Sequence, residues 1–395
     1  MRAWLLLIPA MAMAQEVPAG TEIAIRLTSS ISTRSSHAAD PVDAVVIAPV
    51  VLNGRTAIAA GAIVHGKVEK IAQPQPPDRR ATLLLIFHRI ETSGTKHSMS
   101  AQLFEVDNAR EKVDSQGQIV GILASETISG QLDAGLDKLS DQYSGLASIL
   151  SAAKSAVLPD TSIEIDYPRG VEMTLRLNRP LPVPFAVASN PPAWPVDDRS
   201  TLEHLIAREP FQTTAEHPPQ PSDLTNLLLV ASEEALRRAF ADAGWSGAAR
   251  LEPFSKLETL RALAADRGYR EAPVSVLLLD GKPPDFVFEK SNDTFARRHH
   301  LRIWRRPGVI AGKPIWAVAA THDTGIDFSQ DDRTFIHRID SRIDRERDKV
   351  VNDLLFTGRV KAFDLIDRPQ VPRLASNATG DRIETDGRVA ALLLQ

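Results

Sequence analysis

Four of the ten histidines, His299, His300, His322 and His337, fall in three short segments of the C-terminal half. Each segment carries charge as well: Arg302 follows the first pair, Asp323 adjoins His322, Asp340 follows His337, and Asp344 and Arg347 come shortly after. Neutral imidazoles with carboxylates are the donors of zinc and similar divalent ions, which polarise a phosphate or activate water. His322, His337 and Asp340 are therefore candidate metal ligands. His299, His300, Arg302, Asp323 and Arg347 are candidate ligand-binding residues, with Arg302 suited to clamping an anion. The spacing matches no established metal motif, and three readings stand open. One is a buried His–Asp–Arg network that fixes strand to helix, the second an anion or small-ligand pocket, the third a metal-dependent hydrolase. No residue is assigned as catalytic, and the only cofactor such residues would take is a divalent metal.

Other chemistries drop out. The 395 residues contain no cysteine, which excludes disulfides, thiolate nucleophiles and Cys-ligated metals. Glycine-rich phosphate loops and Gly-x-Ser-x-Gly elbows are missing as well. With 46 Lys+Arg against 50 Asp+Glu the net charge is -4, so the sequence has no basic signature of a nucleic-acid binder.

The elements that must position these groups divide the chain. Residues 1–14, with Arg2, the apolar run Ala3 to Met11 and small Ala12 and Ala14, read as a signal peptide cleaved near Ala14. No later segment is apolar for long enough to span a bilayer, so the mature protein is expected to be soluble and periplasmic or secreted. Residues 15–182 read as a β-rich domain, a small barrel or sandwich, with strands at Glu22–Leu27, 44–52, 63–71, 81–90 and 98–103 set off by turn residues. The decapeptide Pro18 to Leu27 recurs 150 residues later as Pro168 to Leu177, keeping Pro, Gly, Glu, Arg and Leu in register. Two equivalent turn-then-strand segments explain the echo. Between them, Leu132, Leu136, Leu139, Tyr143, Leu146, Leu150, Ala153 and Val157 mark a long helix over about 128–157, packed on its own domain or serving homo-oligomerisation.

Ten of the 27 prolines lie between Pro180 and Pro221, which marks 183–222 as a Pro-rich linker. Beyond it, 223–366 alternates strand and helix patterns. An apolar strand at 226–230 leads into a helix capped by Ser232, further strands lie at 286–289, 299–304, 315–321 and 334–339, and a last helix runs from Ile343 to Phe356. Ser341 and Asp344 have the spacing of a capping box for that last helix. The fold class is α+β multidomain, the second domain being α/β with a mixed sheet. Residues 367–395 read as a loosely ordered tail apart from Val389 to Leu393.

In wording and order, Asn226 to Glu234, Ala243-Gly244-Trp245, Ala272 to Ser275, Arg298 to Trp304, Trp316 to Asp323 and His337 to Asp348 resemble the LssY C-terminal domain family over roughly 200–365. That domain has no known activity. Longer members join it to a membrane phosphatase-like module, which has no counterpart here, so the resemblance does not imply phosphatase activity. The block from Gly20 through Ala60-Gly61 and Gly66 to Leu83 is similar to the periplasmic β domain of TrbI-type conjugal-transfer proteins. Together these imply an exported cell-envelope protein, a non-enzymatic binding or scaffolding component whose partner is an envelope protein or anionic envelope ligand. A metal-assisted hydrolase acting on a phosphate- or ester-bearing envelope substrate is the alternative.

Overall fold

The computed structural model describes residues 16–126, 162–187, 192–215, 219–247, 277–290, 298–329 and 334–395, Gly54 aside. The expected helix over 128–157 lies outside the described residues.

Six strands close a barrel in the N-terminal part. They are β1 (Glu22–Leu27), β2 (Pro41–Val46), β3 (Ile63–Ala72), β4 (Thr82–Thr92), β5 (Thr95–Val106) and β6 (Glu172–Leu177). Neighbours run β4-β3-β2-β1-β6-β5, and β5 pairs back onto β4, so the ring has no free edge. Alternation fills the interior with Ile23, Ile25, Leu27, Val64, Leu83, Leu85, Phe87 and Leu175, all essentially inaccessible. The ring is tight at Gly66, where β3 is bulged against β4. A Cβ there would stand 2.5 Å from the Ile86 carbonyl oxygen and 2.7 Å from the Phe87 ring.

The two copies of the decapeptide are the neighbouring antiparallel strands β1 and β6. Their register pairs Glu172 with Arg26 and Arg176 with Glu22, so the glutamate of each copy faces the arginine of the other. Gly20 and Gly170, both at positive φ, donate reciprocally to the Leu177 and Leu27 carbonyls. Flanking two-residue strands keep the relation, with Glu16 opposite Pro182 and Asp166 opposite Ser32. The repeat is a local twofold within one barrel.

The C-terminal part is built on a mixed sheet. Its elements are α1 (Val196–Arg208), β7 (Leu227–Val230), α2 (Glu233–Asp242), β8 (Trp245–Gly247), β9 (Phe286–Lys290), β10 (Arg298–Ile310), β11 (Lys313–Ser329), β12 (Thr334–Ile339), α3 (Ile343–Phe356), β13 (Val360–Asp367) and β14 (Arg388–Leu394). Strand order is β8-β9-β10-β11-β7-β14-β13, with β12 on the far part of β11. Every pair is antiparallel except β7 with β14. β7 is buried on both faces, as its unbroken apolar run requires. Leu227 and Leu229 meet α2 and α3, whereas Leu228 and Val230 meet α1. Ser232 caps α2 by accepting from the Ala235 amide at 3.2 Å.

Two expectations are corrected. The Pro-rich segment 183–222 is not an open linker: it contains α1 and a hairpin, Gln212–Ala215 with Gln220–Leu224. Its prolines bracket these elements, Pro195 standing at the N-cap of α1 and Pro210 just past its end. Trp194 is buried there, its indole donating to the Ala391 carbonyl at 3.1 Å. Nor is the rest of 367–395 loose: Leu374–Ser376 pairs with Arg382–Glu384 and buries Ile383, ahead of β14, which is inserted between β7 and β13.

Gly66→Ala is expected to destabilise the protein by about 1–3 kcal/mol, because the β3–β4 backbone must separate to admit a methyl group. Chemical denaturation followed by far-ultraviolet circular dichroism measures it, and an unchanged midpoint would show that the barrel yields at this point.

Candidate functional site

The β10–β11 hairpin sets the chemistry. Its register puts His299 opposite His322, Arg298 opposite Asp323 and His300 opposite Thr321. Because successive side chains of a strand point to opposite faces, the candidate residues separate into two groups across the sheet.

On the face away from α3, His300, Arg302 and Asp323 form a dry network with a residue the sequence reading missed, Asp223. Asp323 accepts from His300 Nε2 at 2.9 Å and from Arg298 Nη2 at 3.2 Å. Asp223 accepts from Arg302 Nη1 at 3.2 Å. All are almost wholly buried. Burial raises the Asp223 pKa despite the opposing pull of Arg302 and His300, and burial lowers that of Arg302 despite Asp223 and Asp323. Arg347, on α3, is held apart from this network by Asp344, Asp348 and Asp386 and donates to the Arg388 carbonyl at 3.1 Å.

On the α3 face, the His299 and His322 rings stack with centroids 4.1 Å apart. His299 lies between two carboxylates, its Nδ1 2.7 Å from Glu346 on α3 and its Nε2 2.9 Å from Asp107. Asp107 belongs to the barrel, in the turn after β5. Its neighbour Asn108, at φ 56, brings its amide oxygen 2.8 Å from His322 Nε2. Burial pushes the His299 pKa down, but Asp107 and Glu346 outweigh it and hold the imidazolium well above its ordinary range. Burial, together with the charge on His299, pushes His322 down to about 4. One charged and one neutral ring therefore stack at neutral pH.

The seam continues beyond the histidines. Glu172 of β6 receives Arg26 at 2.7 Å and Lys290 at 3.2 Å, and pairs with Lys349 of α3. Lys290 also contacts Asp353 at 2.6 Å, and the Trp245 indole donates to the same Asp353 oxygen at 3.0 Å. Burial alone would raise the Glu172 pKa, and Lys349, Lys290 and Arg26 reverse that to hold it well below its usual range. Lys349 is correspondingly raised, with Asp353, Glu172 and Asp107 overcoming its own burial. Beside these residues a cavity of about 360 Å³ opens between barrel and α3, lined by Glu105, Asp107, Asp348, Lys349 and Asn352 among others.

The remaining predicted residues lie elsewhere. Asp340 turns the chain into α3, its amide donating to the His322 carbonyl and its carboxylate accepting from the Arg342 amide. The capping box does not form: the N-cap is Arg342, and Asp344 accepts instead from Thr385 and the Asp386 amide. His337 pairs through its backbone with Ile326, four positions along β11 from His322 and thus roughly 13 Å away at strand rise. Its side chain lies outside the described residues. Asp107, Asn108 and Lys349 had no motif in the sequence, Glu346 lay unremarked within the stretch His337 to Asp348, and Glu172 is the glutamate kept by the repeat.

A search of curated proteins finds no match to the sequence. Among solved structures, ComB10 of the Com type IV secretion system of Helicobacter pylori is similar at 13% identity and a TM-score of 0.24, over 43% of this chain and 93% of that one. So slight a likeness carries no argument. The description of the C-terminal part is more definite: residues 207–389, a little under half of the chain, match the LssY C-terminus family.

Proposed function

We propose that the protein is an exported cell-envelope component that binds or scaffolds a partner and is not an enzyme. The observation that carries this reading is where the candidate chemistry lies. His299, His300, Arg302, Asp323 and Arg347 are buried and bonded to partners within the chain. Groups held in this way fix strands, helix and barrel together and are poorly placed to meet a substrate. What the seam leaves accessible is the cleft between barrel and α3. Its accessible charges are mixed: Glu105, Asp107 and Asp348 stand beside Arg345 and Lys349, while Glu172 and Asp353 are already paired within the seam. A polar surface of mixed charge suits a segment of an envelope protein. Among the described residues no helix is long and apolar enough to cross a membrane.

Export is expected to leave a mature chain beginning at Gln15. Fractionation with mass spectrometry of the N-terminus tests this, and an intact Met1 in the cytoplasmic fraction would contradict it. Against phosphomonoester and ester substrates the purified protein is expected to show no turnover above the uncatalysed rate. Turnover abolished by His299→Gln would favour the hydrolase instead.

The seam makes a sharper prediction, because the repeat supplies a matched control. Glu172 and its partner Arg26 are 6% and 19% exposed, whereas the equivalent Glu22 and Arg176 are 53% and 37% exposed. Glu172→Gln leaves Lys349 and Lys290 short of a counter-charge and is expected to lower stability by about 2–4 kcal/mol. Glu22→Gln is expected to change it by no more than about 0.5 kcal/mol. Apart from Trp4, every tryptophan lies in the C-terminal part. Tryptophan fluorescence during urea unfolding therefore reports whether damage on the barrel side reaches the sheet. Equal midpoints for the two variants would remove the rigid unit from the proposal.

A further inference from the structure

Asp107, His299 and His322 each offer one metal-ligating atom, and the three atoms lie within 4.8 Å of one another. They come from both halves of the molecule: Asp107 from the turn after β5, His299 from β10 and His322 from β11. Two imidazole nitrogens and a carboxylate oxygen are the borderline donors that suit zinc. Two features of Glu346 point the same way. His299 Nδ1 is held by Glu346 at 2.7 Å, which fixes the ring and aims Nε2 at Asp107. Such a carboxylate behind the ring is the usual support of a metal-ligating histidine. The other Glu346 oxygen, Oε1, is buried with no hydrogen-bond partner among the described residues. A buried carboxylate oxygen left in this way adds negative potential behind His299, on the ring edge opposite the ion.

We propose that Asp107, His299 and His322 bind one divalent ion of the zinc class, which ties the barrel turn to the β10–β11 hairpin. Donor atoms around tetrahedral zinc stand roughly 3.3 Å apart, given Zn–N distances of 2.0–2.1 Å. Closing the set from 4.8 Å takes side-chain rotations of Asp107 and His322, which are partly exposed, while His299 stays fixed by Glu346 and releases its Nε2 proton to solvent as the ion takes that place. His322 exchanges its hydrogen bond to Asn108 for the ion. Asp107 also lines the cleft, which gives the ion a route in and leaves room for a water as fourth ligand. An ion so placed joins the two halves and needs no catalytic role. This set differs from the one expected from sequence: it keeps His322 and replaces His337 and Asp340 by His299 and Asp107.

The test uses the mature chain without a histidine tag, stripped with chelator and titrated with zinc chloride in a calorimeter and with cobalt(II) in a spectrophotometer. One equivalent of zinc, a higher melting temperature with zinc and a tetrahedral cobalt spectrum are expected. His322→Ala and Asp107→Ala should each weaken binding at least tenfold, while His65→Ala, which removes a barrel imidazole paired with Asp43, should leave it unchanged. Tryptophan fluorescence confirms that each variant is folded. If His322→Ala fails to fold, His322→Gln replaces it, and the cobalt spectrum then reports loss of a nitrogen ligand. Absence of stoichiometric binding by the folded parent, or binding that survives both the Asp107 and the His322 substitutions, overturns the proposal.

Discussion

A carboxylate taken out of water must be neutralised where it lies, and Glu172 places that demand on the whole molecule. It is 6% exposed and has Arg26 beside it on the barrel and Lys290 and Lys349 facing it from the sheet and α3. Each of those cations reaches a second acid, Asp353 or Asp107, and Asp107 in turn holds His299 against Glu346. Counting His299 as its imidazolium, four positive and four negative groups alternate along the seam. Removing any member leaves a neighbour buried without its partner, which is a larger penalty than the net worth of the pair. The relative placement of barrel and sheet thus depends on a charge chain.

The barrel shows why its two faces differ. Its two copies of the decapeptide supply equivalent glutamate–arginine pairs, related by the local twofold of β1 and β6. The C-terminal part covers one pair and leaves the other at the surface. Burial thereby turns the covered pair into an anchor, while solvent keeps the open one weak. A symmetrical element has acquired an asymmetric role from what packs against it.

The period of two along a strand explains the division of the histidine cluster. His299 and His300 are adjacent in sequence and belong to opposite faces of the sheet, one meeting barrel and α3, the other meeting Asp323 and Thr321. Proximity in sequence therefore separates them, whereas His299 and His322, 23 residues apart by their numbers, stack ring on ring. Lys290, Arg298, His299, His300, Arg302 and Asp323 are thereby committed to two internal networks, and the cleft beside Asp107 is the accessible part of the seam.

Much of this was legible in the residues. Alternation in Glu22–Leu27 and its echo pointed to equivalent strands, the Ser232 cap and the stripe of Ala235, Leu236, Ala239 and Phe240 fixed α2, and the limits Ile343 to Phe356 were read directly. These are local properties, decided within one strand or one helical turn. Proline content misled at 183–222 because prolines mark the ends of elements as readily as they mark open chain. The apolar strand near the C-terminus could not be placed, since its stability comes from parallel pairing with Leu227–Val230, some 160 positions earlier. The sequence by itself determined which segments alternate, which are amphipathic and which residues are able to ligate or pair. Only the tertiary structure decided that Asp107 and Glu172 meet His299 and Lys349, because strand register and the docking of barrel on α3 are long-range choices that no local pattern encodes.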